Sequence, residues 1–167
     1  ESSAASDVYK RQMFVDVVNV TSAADMADVV KSKAAEQDII IMTAAVADFC
    51  PSHPADEKIK KNDSSYESVI ELERTEDILS YLGAHKAKGQ LICGFSMETQ
   101  NMLENSKAKL AKKNADMIVA NNLKVAGAGF GTDTNVVTLI TADDCTELEI
   151  MDKSCVAARI MDRLLQM

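Results

Sequence analysis

Apolar and polar positions alternate between two periods along this chain. Residues 13–20 are rich in β-branched side chains at a two-residue period, which predicts a strand. Ser22 then stands three residues before Asp25 in capping-box spacing, and Met26, Val29, Val30 and Ala34 supply the apolar stripe of a helix. Residues 38–43 form a short apolar run suited to a strand buried on both faces. Further strands are predicted over 68–73, 90–95, 116–120, 135–141 and 146–151, the last two forming a hairpin around Asp143-Asp144. Thr75 is expected to cap a helix with Glu76 and Asp77 in its first turn and Gly83 as its stop. Another helix is predicted over 99–114. A last one starts near Asp152, with Val156, Ala157, Ile160, Met161 and Leu164 on one face.

Strands alternating with helices imply an α/β fold, a mostly parallel sheet covered on both sides, with a C-terminal hairpin. In such sheets ligands bind beyond the carboxyl ends of the strands. That rule directs attention to residues 44–48, the loop after them, residues 94–99, and Asn121 onward.

Composition narrows the functional classes. A chain of 167 residues makes one ordinary domain, and its net charge of −8 counts against a nucleic-acid-binding face. No apolar run is long enough to span a membrane. No signal peptide is recognisable, so the expected compartment is cytoplasmic and reducing. Cys50, Cys93, Cys145 and Cys155 show no C-x-x-C pair, and with only His53 and His85 they do not make a zinc site. Residues 1–12 lack an apolar period, and one codon reading of Asp7 to Gln12 matches the mosaic end of a transposon sequencing adapter. Residues 1–12 are therefore read as a non-native leader and 13–167 as the domain.

Several residues could carry chemistry. Lys58-Ile59-Lys60-Lys61 reads either as a solvated basic turn or as a mobile-loop lysine that closes over phosphates. Lys109 and Lys113 are four apart on the predicted helix, so they share a face. They are either a solubilising surface or a pair of ammonium groups awaiting an anion. Asp48 ends an apolar strand, where a carboxylate either holds a sugar hydroxyl or a metal ion, or opens the turn before Pro51. Phe95 either stacks on a base or packs in the core. The glycine-rich run 127–131 is not followed by a helix, so it is a weak phosphate cradle. No Ser/His/Asp arrangement or G-x-S-x-G elbow supports a hydrolase.

Taken in order, six motifs carry a resemblance. They are residues 42–49 (MTAAVADF), 58–61 (KIKK), 74–79 (RTEDIL), 94–99 (GFSMET), 118–121 (IVAN) and 127–135 (GAGFGTDTN). Together they resemble phosphopantothenoylcysteine synthetase, usually the C-terminal half of a bifunctional bacterial coenzyme A biosynthesis protein. The resemblance implies a Rossmann-like three-layer α/β/α fold and a ligase of two steps. CTP, assisted by Mg2+, activates the carboxylate of 4′-phosphopantothenate as an acyl-cytidylate; the amine of cysteine then displaces CMP. It implies nucleotide contacts from Met42, Thr43, Ala44, Asp48, Lys58, Glu76, Asp77, Ile78, Leu79, Phe95, Lys109 and Lys113. Lys58 also matches the lysine tied to turnover of the intermediate, and residues 62–65 match a mobile flap.

The family works as a dimer, or as a higher oligomer through a fused decarboxylase half, and it uses FMN only where that half is fused upstream. No nucleic-acid or membrane partner is expected. Two departures stand out: the family commonly carries proline at the position of Glu76, and its glycine-rich first strand–turn–helix has no counterpart upstream of Met13. Rival readings are a non-catalytic nucleotide-binding module of the same fold and a nicotinamide-dependent oxidoreductase, which would need a glycine fingerprint that the chain lacks.

Overall fold

The computed structural model describes residues 15–55, 57, 69–98, 101–122 and 131–167. Helix α1 (Ala23–Ala34) opens on the predicted capping box. Ser22 Oγ accepts the Asp25 N–H at 3.1 Å, and Asp25 Oδ2 accepts the Ser22 N–H at 3.0 Å. Strand β1 (Ile39–Met42) is followed by β2 (Phe49–Pro51), β3 (Leu72–Arg74), α2 (Ile78–Ala84), β4 (Leu91–Glu98), α3 (Met102–Lys113) and β5 (Met117–Asn122). The chain closes with β6 (Thr134–Asn135), β7 (Val137–Ile140), β8 (Cys145–Glu147), β9 (Met151–Asp152) and α4 (Lys153–Leu164).

The main sheet has five strands in the order β1-β4-β5-β7-β8. Its centre is parallel, with Ile39 opposite Leu91 and Cys93 opposite Met117; β7 and β8 add on antiparallel. Alternation along β1 explains why both faces are covered. Ile39 and Ile41 pack toward Val156, Ile160 and Leu164 of α4, whereas Ile40 and Met42 pack toward Ala27 of α1 and Ile78 and Leu82 of α2. Ser106 of α3 is fully buried and meets Ser96 of β4 at 2.7 Å, so α3 lies on the α1–α2 face. The result is the expected α/β/α arrangement. Gln90 ties the layers further, because its Nε2 donates to the carbonyls of Ala34 and Gln37, at and just beyond the end of α1, at 2.7 and 2.6 Å. No described helix is long and apolar enough to cross a membrane.

Several boundaries differ from the sequence expectation, each for an identifiable reason. Residues 15–20 form no strand: Val15, Val17 and Val18 are 55, 64 and 47% exposed and have no ladder partner among the described residues. Strand 68–73 shrinks to β3, which pairs with β2 and leaves Val69 and Ile70 exposed; Ser68 lies outside the described residues. The hairpin exists, with Thr141 accepting and donating across to Asp144, but its arms are broken. Thr134–Asn135 pairs with Met151–Asp152 instead of continuing β7. On α4 the buried stripe is Val156, Ile160 and Leu164; Ala157 and Met161 are exposed, because one helix face meets the sheet at four-residue spacing. Helix α3 starts at Met102, after Asn101 in the left-handed region (φ 49°).

Gly83 does not stop α2; it lies buried inside the helix, which ends at Ala84. Its role is contact. A Cβ there would fall 1.8 Å from the Lys113 carbonyl oxygen, and the Asn114 side chain donates to the Gly83 carbonyl at 2.7 Å. The carboxyl ends of α2 and α3 are thus pressed together through a missing side chain. Gly83→Ala is expected to destabilise the protein by about 1–3 kcal/mol in chemical denaturation, despite the better helix propensity of alanine.

Candidate functional site

A cleft opens beyond the carboxyl ends of β1 and β4, walled by the start of α2 and one side of α3. Met42, Ala44, Val46, Ala47 and Asp48 line it from the β1 exit. Thr75, Glu76, Asp77, Ile78 and Leu79 line it from the lead into α2 and its first turn, and Phe95, Lys109 and Lys113 close it from β4 and α3. Ten of the twelve residues expected from the sequence therefore meet in one place. Thr43 lies instead in a neighbouring groove with Val20, Met26 and Val30. Lys58, and residues 62–65 with it, lie outside the described residues.

Local hydrogen bonds fix the walls. The Thr75 N–H donates to the Asp48 carbonyl at 3.0 Å, and the Thr75 hydroxyl donates to the Ala47 carbonyl. With its side chain committed to the strand exit, Thr75 does not cap α2. Asp77 takes that place, its Oδ1 accepting the Ser80 N–H at 2.9 Å. Leu79 lies flat over Gly94, where an added Cβ would come within 2.6 Å of Leu79 Cδ2. This glycine lets α2 seat close to the sheet beside the cleft.

Both α3 lysines are held. Lys109 Nζ donates to the Phe95 carbonyl at 2.8 Å. Lys113 Nζ donates to Ser80 Oγ at 3.0 Å and pairs with the Asp77 carboxylate, its side chain only 13% exposed. Burial by itself would raise the Asp77 carboxyl, but hydrogen bonds from Lys113 and the Ser80 N–H outweigh it and hold the group below the usual carboxylate range. Glu76 turns to Lys31 of α1 at 2.7 Å. Asp48 is exposed and has no side-chain partner among the described residues. Phe95 is half-buried, packing partly against the α4-side core while lining the cleft, so the two sequence readings of it meet in one residue.

Other candidates fall away from this site. His85 Nδ1 contacts the Tyr81 carbonyl at 2.8 Å and its ring stacks on Tyr81, a helix-end role; His53 is exposed near Glu71. Burial, with the Asp116 charge adding to it, pushes the Cys93 thiol up to about 12, which makes it a poor nucleophile. Among the described residues no group of three or more His, Cys, Asp or Glu could hold a metal ion.

Sequence reasoning gave no site role to Val46, Ala47 and Thr75, which the two hydrogen bonds from Thr75 bring into the wall. It also gave none to Asn121, although it marked that strand exit. Asn121 Oδ1 is buried at the carboxyl end of β5 with no hydrogen-bond partner among the described residues. Nothing in the order of residues distinguishes that oxygen; only its enclosure does.

Comparison with known proteins agrees with this architecture. The family described as DNA/pantothenate metabolism flavoprotein C-terminal domain matches residues 3–167, and the chain belongs to that family. It is 47% identical over 150 residues to the coenzyme A biosynthesis bifunctional protein CoaBC of Bacillus subtilis strain 168, covering 89% of this chain and 36% of that protein. It is 45% identical over 152 residues to a protein of an unknown prokaryotic organism named cysteine/cysteine sulfinic acid decarboxylase, covering 90% of this chain and 42% of that one. The chain thus spans well under half the length of these curated relatives. Among solved structures, the crystal structure of the C-terminal domain of CoaBC superposes with a TM-score of 0.76 at 39% identity, covering 95% of this chain and 71% of that one.

The depressed Asp77 carboxyl gives an acid-stability test. A carboxylate lowered in the folded state contributes stability that is fully present above its unfolded value of about 3.9 and is lost as pH falls through the folded value. Asp77→Asn keeps a capping oxygen and removes the titration. Its melting temperature, followed by circular dichroism, is expected to fall less than that of the unmodified protein between about pH 6 and about pH 3.

Proposed function

We propose that this chain provides the site that joins 4′-phosphopantothenate to cysteine at the expense of CTP, as a cytoplasmic ligase of coenzyme A biosynthesis. The observation that carries this reading is the pair of α3 lysines held at the wall of a strand-exit cleft, in a chain of this family. The physical problem is to bring a nucleoside triphosphate and a phosphorylated carboxylate together against their repulsion. Cationic groups held in place before the ligands arrive do this without reorganising during the reaction.

The nucleotide lies in the cleft between the β1 exit and α2, with Lys109 and Lys113 toward its phosphates and Asp48 toward its sugar. The substrate carboxylate attacks the α-phosphorus, forming the acyl–phosphate bond as the bond to pyrophosphate breaks. The amine of cysteine then attacks the acyl carbon, the carbon–oxygen bond to CMP breaks, and the ammonium proton is released to solvent. Lys58, which follows β2 in the sequence, neutralises the negative charge that gathers on the phosphate of the acyl-cytidylate. Mg2+ would offset triphosphate charge, with Asp48 as the carboxylate that can reach it, since Glu76 and Asp77 are already paired. A flavin would belong to a fused decarboxylase half rather than to this chain, and pairing into a homodimer would complete the assembly.

CTP with magnesium is expected to raise the melting temperature more than ATP with magnesium, and pyrophosphate is expected to appear when 4′-phosphopantothenate is added. Equal shifts for both nucleotides would remove the nucleotide assignment, and CTP binding without pyrophosphate release would favour the non-catalytic module. Lys58→Met is expected to slow amide formation about a hundredfold while leaving the CTP-induced thermal shift in place. An undiminished rate would take Lys58 out of the chemistry.

A further inference from the structure

A carboxylate in the wall of a polyphosphate cleft is a physical contradiction unless something cancels it. Glu76 is such a group: it lines the cleft, one residue before the Asp77 cap of α2. Its Oε2 meets the Nζ of Lys31 at 2.7 Å across 45 residues of sequence. Lys31 belongs to α1 and contributes nothing to the cleft lining itself. Its ammonium is held by two further groups, the Asp28 carboxylate at 3.5 Å and the face of the Tyr81 ring, 5.5 Å from its centroid. The side chain is 26% exposed, so it is fixed more firmly than an ordinary surface lysine, and the pairing holds its proton more tightly than usual.

We propose that Lys31 is a positioning residue for nucleotide binding: it draws the Glu76 carboxylate aside and cancels its charge, so that a nucleoside triphosphate can enter the cleft. The inference rests on the nucleotide reading above and adds to it a residue on a different helix. Without Lys31, an uncancelled carboxylate is left in the wall of the cleft that the phosphates enter, and its repulsion is screened over about 8 Å at physiological salt. A unit charge opposing a multiply charged ligand at such a distance weakens binding by about threefold to tenfold at low salt. Loss of packing between α1 and α2 would give no such salt dependence.

The test is a double-variant cycle read by titration calorimetry with CTP and magnesium at low and at physiological salt, on the full chain. Lys31→Met is expected to raise the dissociation constant about threefold to tenfold at low salt, and less as salt increases. Lys31→Arg is expected to keep the affinity of the unmodified chain. The double variant Lys31→Met, Glu76→Gln is expected to regain the affinity of the unmodified chain, because it removes both charges of the pair, and Glu76→Gln alone is expected to bind no more weakly than that. Melting temperatures of all four variants check that each is folded. An unaltered dissociation constant in folded Lys31→Met overturns the proposal, and so does a double variant as weak as Lys31→Met. Absence of CTP binding by the unmodified chain overturns the nucleotide reading itself, and this inference with it, before any variant is compared.

Discussion

Lys109 and Lys113 stand one turn apart on α3, and their mutual repulsion is the constraint that orders the rest of the cleft. Two ammonium groups on one helix face stay in place only if each has an acceptor when no anion is bound. Lys109 has the carbonyl of Phe95 and Lys113 has Ser80 with the carboxylate of Asp77. These acceptors come from β4 and from the first turn of α2, so satisfying the lysines fixes two neighbouring elements against α3.

The carboxylates divide the work according to their surroundings. Asp77 is committed twice, to the α2 amino end and to Lys113, and Glu76 is committed to Lys31. Asp48, at the strand exit, has no such commitment among the described residues. Three acidic side chains in one wall thus present a single carboxylate without a side-chain partner among the described residues. The acidic balance of the whole chain is compatible with this, because the local field is set by pairing rather than by net charge.

Much of this was legible in the order of residues. The capping box at Ser22 and Asp25 needs only local chemistry, and it formed as read. The strand-exit rule located the cleft, because the alternation of β1 and β4 with helices already implied a parallel sheet. What escaped were features decided by partners distant in sequence. Thr75 looks like a cap until the Ala47 carbonyl claims its hydroxyl; Asp77 then inherits the cap. Residues 15–20 have the composition of a strand, but composition supplies no neighbour to pair with. Gly83 reads as a helix stop because nothing in its surroundings in sequence announces the carbonyl of Lys113 behind it.

That last contact has an evolutionary consequence. Because position 83 has no room for a side chain while the Lys113 carbonyl and the Asn114 amide remain where they are, the residue at 83 cannot change independently of the path that α3 takes at its end. A lineage that enlarges residue 83 must first retilt or shorten the final turn of α3, which would carry Lys113 away from Asp77. A side chain at 83 should therefore appear only in descendants whose α3 ends differently, a constraint on backbone shape imposed by a single absent carbon.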